Sequence, residues 1–447
     1  MKSYNHLYET YISEDNIRIA ILNSSHGKRD RAVVRSYLPA TQADGDPDGA
    51  ILKRVQNFAS DFHNANHNPI EIYDGVTRKK RTIIVPKYYE QIVHHMAVNV
   101  LVPIFSRGMY EHSYASLPGR GAHRGKRVIE KWIRSDRKNV KYCLKMDIRK
   151  FFDSIPHDIL ISKLEKLIHD ECFLNVLMEI ISVTDNGLPL GFYTSQWLAN
   201  WYLQDLDHYI KEKLLARHYM RYMDDMVIFG SNKRELHRMR AEIDEYLQIH
   251  LGLKLKGNWQ VFRFDYIDRD GKHHGRFLDY MGFRFYRDRT TMRRSIMLKA
   301  TRKARRIGKK EKPSIYEVRQ MTSYLGYIDC TNTYGMYTRW IKPFVNIQKC
   351  KRRMSNYDRH KTRRKKNMEW QNSQSTELPK EIDTSSSKVY NYIRHDIEKT
   401  TVKDVDGNQI SVYNYKELRV EKENWPLYLQ IEQAQADIDY LNMITEG

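Results

Sequence analysis

The chain has 447 residues, 41% of them hydrophobic, enough for two or three domains with real cores. Lys plus Arg outnumber Asp plus Glu by 76 to 55, a formal charge of +21 that calls for a polyanionic partner, most simply nucleic acid. No run of eighteen apolar residues occurs and residues 1–6 lack a signal-peptide core, which excludes a membrane-spanning helix and favours a cytoplasmic protein.

In chain order, Leu7, Tyr8, Tyr11 and Ile12 have helical spacing, 41–49 is a loop by composition, and 51–62 resume a helix. Residues 71–87 predict a hairpin with its turn at Asp74 and Gly75. Arg78, Lys79, Lys80 and Arg81 cluster at the return strand, either as a solvated basic turn or as a clamp on phosphate oxygens. Residues 88–105 predict a helix on which His94 and His95 are packing or surface residues without a catalytic role. Residues 113–126 form a Gly-rich basic loop, where glycines admit close backbone approach. Arg120, Arg124 and Lys126 favour nucleic-acid contact there over a plain surface loop.

Residues 141–147 alternate as a strand, with Tyr142, Leu144 and Met146 on one face and Asp147 ending the other. A helix is expected over 156–168, with Asp153 serving its start. Residues 188–196 are a turn-rich entry into a long helix reaching about Leu214, whose stripe is Leu198, Tyr202, Leu206 and Tyr209. Residues 251–256 and 278–286 predict later strands. Residues 300–312 predict a basic helix with Arg302, Arg305 and Arg306, and 316–327 and 337–351 two more helices. A denser basic run, 351–366, contains Arg352, Arg353, Arg363 and Arg364. Residues 367–388 read as a linker, and 389–447 regain strand character at 409–413 before a final helix. The four cysteines, Cys143, Cys172, Cys330 and Cys350, lack metal-motif spacing and suggest neither a zinc site nor a disulfide framework.

One stretch stands apart. Two β-prone runs, 218–222 and 226–229, flank Met223, Asp224 and Asp225 at a turn. Adjacent carboxylates repel, and Mg²⁺, which takes carboxylates and substrate phosphates together, relieves that repulsion. A solvated turn is the ordinary meaning of such a pair, but a surface turn does not need apolar strands on both sides.

Tyr222-Met223-Asp224-Asp225 resembles the Tyr-x-Asp-Asp motif of reverse transcriptases. Other segments match the family in order: Asp147 with Phe151 and Phe152, Gly191 with Ser195 and Gln196, and residues 278–285 as a primer-grip hairpin. Arg81 and residues 119–126 are similar to finger elements. The resemblance implies two Mg²⁺ ions (Mn²⁺ as a substitute) about 4 Å apart, holding the attacking and leaving oxygens in line. Asp147, Asp224 and Asp225 would be their carboxylate ligands, with the Ile148 carbonyl as a further one. Arg81, Phe152, Leu190 and Gly191 would surround the incoming dNTP, and the Phe152 ring would exclude a ribose 2′-hydroxyl. The family's retroviral and group II intron members usually carry Gln before the glycine and Ser-Pro after it. Leu190 before Gly191, and Gln196 after Ser195, resemble instead the enzymes of diversity-generating retroelements and bacterial antiphage defence.

The fold expected is α+β, a right-hand polymerase with fingers, an antiparallel palm sheet, a helical thumb and a C-terminal extension. The divisions fall at 1–135, 136–290 (palm, with finger insertions), 291–366 and 367–447. The expected function is an RNA-directed DNA polymerase copying a dedicated structured non-coding RNA, which also serves as scaffold, with DNA as product. The tail tips the setting to antiphage defence in a bacterial cytoplasm, ahead of a diversity-generating retroelement. The rivals are a catalytically silent RNA-binding scaffold, opposed by the intact aspartates, and an RNA-directed RNA polymerase, opposed by Phe152. A homo-oligomer or a helper protein is compatible with the sequence.

Overall fold

Alternating side chains from Tyr142 to Asp147 and from His218 to Gly230 build the sheet around which the other elements are arranged. The computed structural model describes residues 3–42, 45–73, 80–357, 359, 398–403 and 409–414. Four short or medium helices, α1 (Leu7–Tyr11), α2 (Glu14–Ser24), α3 (Ala32–Arg35) and α4 (Ala50–Ser60), precede a hairpin of β1 (Ile70–Tyr73) and β2 (Lys80–Ile83). The long α5 (Tyr88–Phe105) follows and is apolar nearly all round, so it is buried on nearly all sides. His94 and His95 are part of that core, as packing residues.

Helix α6 (Ala122–Ser135) begins inside the stretch expected to be a loop, so only residues up to 121 are loop. Its inward stripe, Gly125, Lys126, Ile129, Trp132 and Ile133, has helical spacing that the glycines and charges masked in the sequence. After β3 (Tyr142–Asp147) come α7 (Phe151–Ser154), α8 (His157–Leu167), α9 (Glu171–Ile181), α10 (Tyr193–Tyr202) and α11 (Gln204–His208). The helix expected to run to Leu214 breaks at Leu203 and resumes as α11 and a π-turn over Tyr209–Lys213. At the break the Tyr202 carbonyl accepts from Lys163 Nζ at 3.1 Å, which satisfies a group the helix leaves open.

Strands β4 (His218–Tyr222) and β5 (Asp225–Gly230) form the hairpin expected of them. Helix α12 (Lys233–Leu251) and strand β6 (Gln260–Arg263) complete a four-stranded antiparallel sheet of order β4-β5-β3-β6. The strand expected over 251–256 is absent. Leu251 closes the stripe Leu236, Ile243, Leu247 of α12, and Gly252 ends that helix in a left-handed conformation. Only Leu255 pairs, in one bridge to Ile148. The real fourth strand, β6, lies nine residues further on than Leu251, in a stretch for which no strand is expected from the sequence.

Both faces of the sheet are covered. Leu144, Met146, Tyr219, Met226 and Ile228 face a core shared with α5, α8, α10 and α12. Cys143, Met220, Val227 and Phe229 face a second core with Trp132 of α6. Two small strands, β7 (Tyr266–Ile267) and β8 (His273–His274), pair with each other. A three-stranded sheet, β9 (Leu278–Tyr280), β10 (Phe283–Phe285) and β11 (Thr290–Met292), supplies Leu278, Tyr280, Phe283 and Phe285 to the second core.

Helices α13 (Arg294–Gly308), α14 (Ile315–Asp329) and α15 (Tyr334–Trp340) enclose a third core of Ile296, Ala300, Ala304, Ile307, Met321, Leu325 and Ile341. Helix α13 starts six residues earlier than expected, and α15 ends at Trp340, with a separate helix over 347–357. Strands β12 (Glu398–Lys403) and β13 (Gln409–Asn414) pair antiparallel, where the sequence predicts strand character at 409–413. Arg78, Lys79, Arg363, Arg364, the linker over 367–388 and the final helix lie outside the described residues.

Candidate active site

Strand register brings the three aspartates together. Asp147 ends β3 directly opposite Asp225 on β5, and Tyr222 on β4 faces Asp225 from the other side. Asp224 sits in the intervening turn, and its carbonyl accepts from the Ile148 amide at 3.3 Å. The turn requires Met223 in a left-handed conformation, φ 55°, which is unfavourable for a residue with a side chain.

What holds that turn is a buried charge network. Arg221 is fully buried and forms an ion pair with Asp207 of α11, through Nε at 2.8 Å and NH2 at 2.6 Å. Its NH1 donates to Asn200 Oδ1 and to the Met223 carbonyl, at 3.1 and 3.2 Å. Its NH2 also donates to the Asn200 carbonyl, and Tyr219 donates to Asp207 at 2.7 Å. A buried ion pair is tolerable when its remaining donors are satisfied, and these are. Tyr280 adds a bond from β9, donating to the Asp225 carbonyl at 2.8 Å.

Crowding shows in the electrostatics. Burial, then the charge of Asp147, pushes Asp224 up to about 7. Burial also pushes Asp225 up to about 6, against the pull of Lys145. The Asp225 side chain is still 31% exposed to the cleft, so solvent screens it and the rise carries no stability value. Two lysines offset part of the charge: Lys145 Nζ lies 3.4 Å from Asp225 Oδ2, and Lys256 Nζ lies 3.0 Å from Asp147 Oδ2. Asp225 Oδ1 is buried without a hydrogen-bond partner among the described residues. Converging carboxylates, raised pKa values and one orphaned oxygen fit a hard divalent cation.

The neighbouring residues fall as follows. Leu190 accepts at its carbonyl from the Ile84 amide, 2.8 Å away, tying the end of the β1–β2 hairpin to residues 190–191. Gly191 has φ 108°, and a Cβ there would lie 2.3 Å from the Ile84 carbonyl oxygen, so only glycine allows this approach. Arg81 is exposed on β2, three residues before Ile84. Phe151 is a core residue, whereas Phe152 is half-buried.

The basic residues divide. Arg302, Arg305 and Arg306 lie exposed on α13, and Arg352 and Arg353 on the helix over 347–357. Arg120 turns inward and donates to the Tyr110 carbonyl at 2.5 Å, and Arg124 donates to the Gly119 carbonyl at 2.9 Å. Lys126, expected at a nucleic-acid surface, is only 7% exposed and pairs with Glu130 at 2.9 Å. Its position on the inward face of α6, facing the Phe283 ring, is the reason.

Sequence reasoning missed Lys145, Lys256 and the Arg221–Asp207–Asn200 network. Strand alternation puts Lys145, two before Asp147, on the same face as that aspartate, which was a usable signal. An arginine inside an apolar strand was another. For Lys256, 109 residues from its partner, no local pattern exists.

A second acidic cluster is separate in sequence. The ligand atoms of Asp265, His273 and Asp288 lie within 4.8 Å of one another and could hold a metal ion. Arg289 NH1 already reaches Asp288 at 2.9 Å and His273 Nε2 at 3.2 Å, so a cation is present in that set.

Comparison with known proteins gives the following likenesses. Residues 67–281 match the family model described as reverse transcriptase (RNA-dependent DNA polymerase). The Retron Ec73 reverse transcriptase of Escherichia coli is 27% identical over 226 residues, 47% of this chain and 68% of that protein. An uncharacterized 91 kDa protein in a cob intron of Schizosaccharomyces pombe is 29% identical over 38% of this chain, which spans only 22% of that protein. A putative COX1/OXI3 intron 2 protein of Saccharomyces cerevisiae is 33% identical over 17% of this chain and 10% of its own length. A telomerase structure from Candida albicans aligns over 62% of this chain and 55% of its own, with a TM-score of 0.36 and 13% identity, too distant to support an argument.

Proposed function

From a reverse-transcriptase domain at residues 67–281, related to those of retron and intron-encoded enzymes, we propose that this protein is an RNA-directed DNA polymerase. The observation that carries the reading is the register of Asp147 opposite Asp225 with Asp224 in the adjoining turn. Asp147, Asp224, Asp225 and the Ile148 carbonyl would hold two Mg²⁺ ions. Bound there, the ions would supply charge neutralisation for attack of a primer 3′-hydroxyl on the α-phosphate of a dNTP with departure of pyrophosphate.

The chain's own residues do the rest. Lys145 and Lys256 balance two of the carboxylates before the ions bind. Arg81 meets the triphosphate as a cationic donor, and Gly191 lets the β1–β2 hairpin close over the nucleotide. Phe152 lies beneath the sugar and selects deoxyribose. The hand-like division into fingers, palm and thumb, with α13–α15 as thumb, belongs to this reading.

The template is a dedicated structured non-coding RNA, supported by the +21 charge and by the basic faces of α13 and of residues 347–357. Leu190 and Gln196 support a defence or diversity-generating setting, of which we favour antiphage defence in a bacterial cytoplasm. Among the described residues no helix is long and apolar enough to cross a membrane. Primer extension on an RNA template tests the reading. Asp224→Asn or Asp225→Asn should lower it by at least roughly 10²-fold, the scale of losing one transition-state stabiliser, while leaving RNA binding intact. Undiminished extension by either variant would remove the active-site assignment.

A further inference from the structure

Exposed aromatic rings are unevenly distributed. Among the described residues, six aromatics rank as large exposed side chains: Tyr73, Tyr316, Tyr334, Trp340, Phe344 and Tyr357. All but Tyr73 lie between α14 and the helix over 347–357, and four of those five carry a cation over the ring or within reach of it: Tyr316, Trp340, Phe344 and Tyr357. Solvent-exposed rings cost free energy, so concentration of them in one layer asks for an occupant.

The best-formed group is at the junction of α13 and α15. The Arg305 guanidinium lies 5.0 Å from the Trp340 ring centre and 6.0 Å from that of Phe344. Trp340 is 42% exposed and Phe344 39%. They are held outward by their neighbours: Ile341 and Val345 are buried in the third core. Helix α13 ends on Gly308, where a Cβ would lie 2.9 Å from the Cβ and the carbonyl oxygen of Phe344. The rings therefore stand on fixed backbone, with Arg305 free of any ion pair among the described residues.

Charge says what kind of occupant fits. From Cys330 to Tyr357 there is no Asp or Glu, against six Lys and Arg, and Arg339 and Lys342 flank Trp340 on exposed positions. Helix α13 likewise has six basic residues and no acidic one. Rings for stacking, with cations beside them for phosphates, match single-stranded nucleic acid, since any base offers a π-face. A paired helix hides its base faces and would use the cations alone.

We propose that Trp340, Phe344 and Arg305 form a stacking platform for an unpaired stretch of the RNA partner, outside the copied duplex. The choice of RNA over DNA rests on the function proposed above, in which RNA is the strand that stays partly single-stranded. The platform is a binding site of its own, separate from the three aspartates, and it gives the protein a hold on its RNA that does not depend on catalysis.

The test is titration of labelled unstructured oligouridine, read by fluorescence anisotropy, against wild type, Trp340→Phe, Arg305→Ala and the double variant Trp340→Ala/Phe344→Ala. Loss of stacking should weaken binding roughly 5- to 150-fold for each base released by the double variant. Trp340→Phe keeps a ring and should retain most of the affinity, and Arg305→Ala should lose affinity with little effect on melting temperature. An abasic ribose-phosphate chain of equal length should bind more weakly, with no further loss in the double variant. Equal binding of oligouridine and the abasic chain overturns the proposal, as does a double variant that melts like wild type and binds like it. Polyglutamate bound with the same loss on substitution would also overturn it, in favour of an acidic protein partner. Asp224→Asn should bind like wild type. If wild type fails to extend primers while these binding losses hold, the polymerase reading fails and the platform stands.

Discussion

Two side chains outside the carboxylate set are open to test at the proposed site. Arg221 joins Asp207, Asn200 and the Met223 carbonyl inside the protein, so it fixes a strained turn as well as an ion pair. Arg221→Leu strands the Asp207 carboxylate and should cost about 3–5 kcal/mol of stability, measured by urea unfolding. Adding Asp207→Leu removes the stranded charge and should restore most of that loss. Extension should stay low in the double variant, because the Met223 carbonyl then lacks its arginine donor. Recovery of both together would mean that the pair serves stability alone. Phe152 raises the other question, sugar choice. Phe152→Ala should admit ribonucleotides, since the clash with a 2′-hydroxyl and its desolvation against the ring are lost. Phe151 is a core residue and makes the control as Phe151→Leu, which should leave sugar choice unchanged. Incorporation of dNTP against NTP on an RNA template reads both, and relaxed choice in Phe151→Leu alone would refute the gate.

Helix α5 shows how an element can set a pH limit for the fold. His94 and His95 sit inside it, and burial holds both imidazoles below their ordinary range, His94 at about 3. His94 has neither ring nitrogen paired among the described residues and lies against the Phe192 ring, 4.4 Å between centres. The folded state therefore resists a proton that the unfolded chain accepts near 6.5. The resulting contribution is full above pH 6.5 and is lost as pH falls from there towards 3. At pH 5 His94 would cost about 2 kcal/mol relative to neutral pH, and His95 acts in the same direction. Asp224 works in the opposite sense. Its folded pKa is raised, as is that of Asp225, so the cost of their charge is relieved progressively as pH falls from about 7 towards the ordinary carboxylate range. The carboxylates therefore offset the histidine loss across this range, and the histidine part is read as a difference between variants. The urea midpoint of His94→Leu should gain on that of wild type as pH falls from 7 to 5, and a difference that stays constant with pH would remove His94 as a cause.

At the scale of the whole molecule, what was legible in the sequence was what repeats locally. Strand alternation exposed the β4–β5 hairpin and β3, and the aspartates at their ends, because each strand there is buried on both faces and carries a regular pattern. The pattern failed where two elements share one run of leucines. Leu251, Leu253 and Leu255 alternate like a strand, yet Leu251 belongs to the stripe of α12 and Gly252 turns the chain out of it. Contacts across long separations were hidden, such as Lys256 with Asp147 and Arg221 with Asn200. Surface charge was misleading in a specific way: a lysine looks alike in sequence whether it faces water, like the arginines of α13, or a glutamate and a ring, like Lys126.

That last distinction has a measurable consequence for how +21 of charge meets RNA. Counterions released from phosphate make log K fall with log salt by roughly 0.7 to 0.9 for each phosphate neutralised. Only cations free to approach the backbone contribute. Arg302, Arg352 and Arg353 are exposed and make no ion pair among the described residues. Arg306 is partly engaged, its Nε 3.9 Å from Glu317. Replacing Arg302, Arg352 and Arg353 by Ala should weaken RNA binding and lower the salt slope by roughly 2 in total, at the rate per phosphate above. Lys126→Met is the internal control. Its ammonium is held by Glu130 inside the second core, so the slope should stay as in wild type while thermal stability drops. RNA titrations over a range of salt concentrations, with melting curves for each variant, separate the two effects. A salt slope that responds to Lys126 and ignores the three arginines would place the RNA on α6 and its loop, and would take the basic faces of α13 and of residues 347–357 out of the interface.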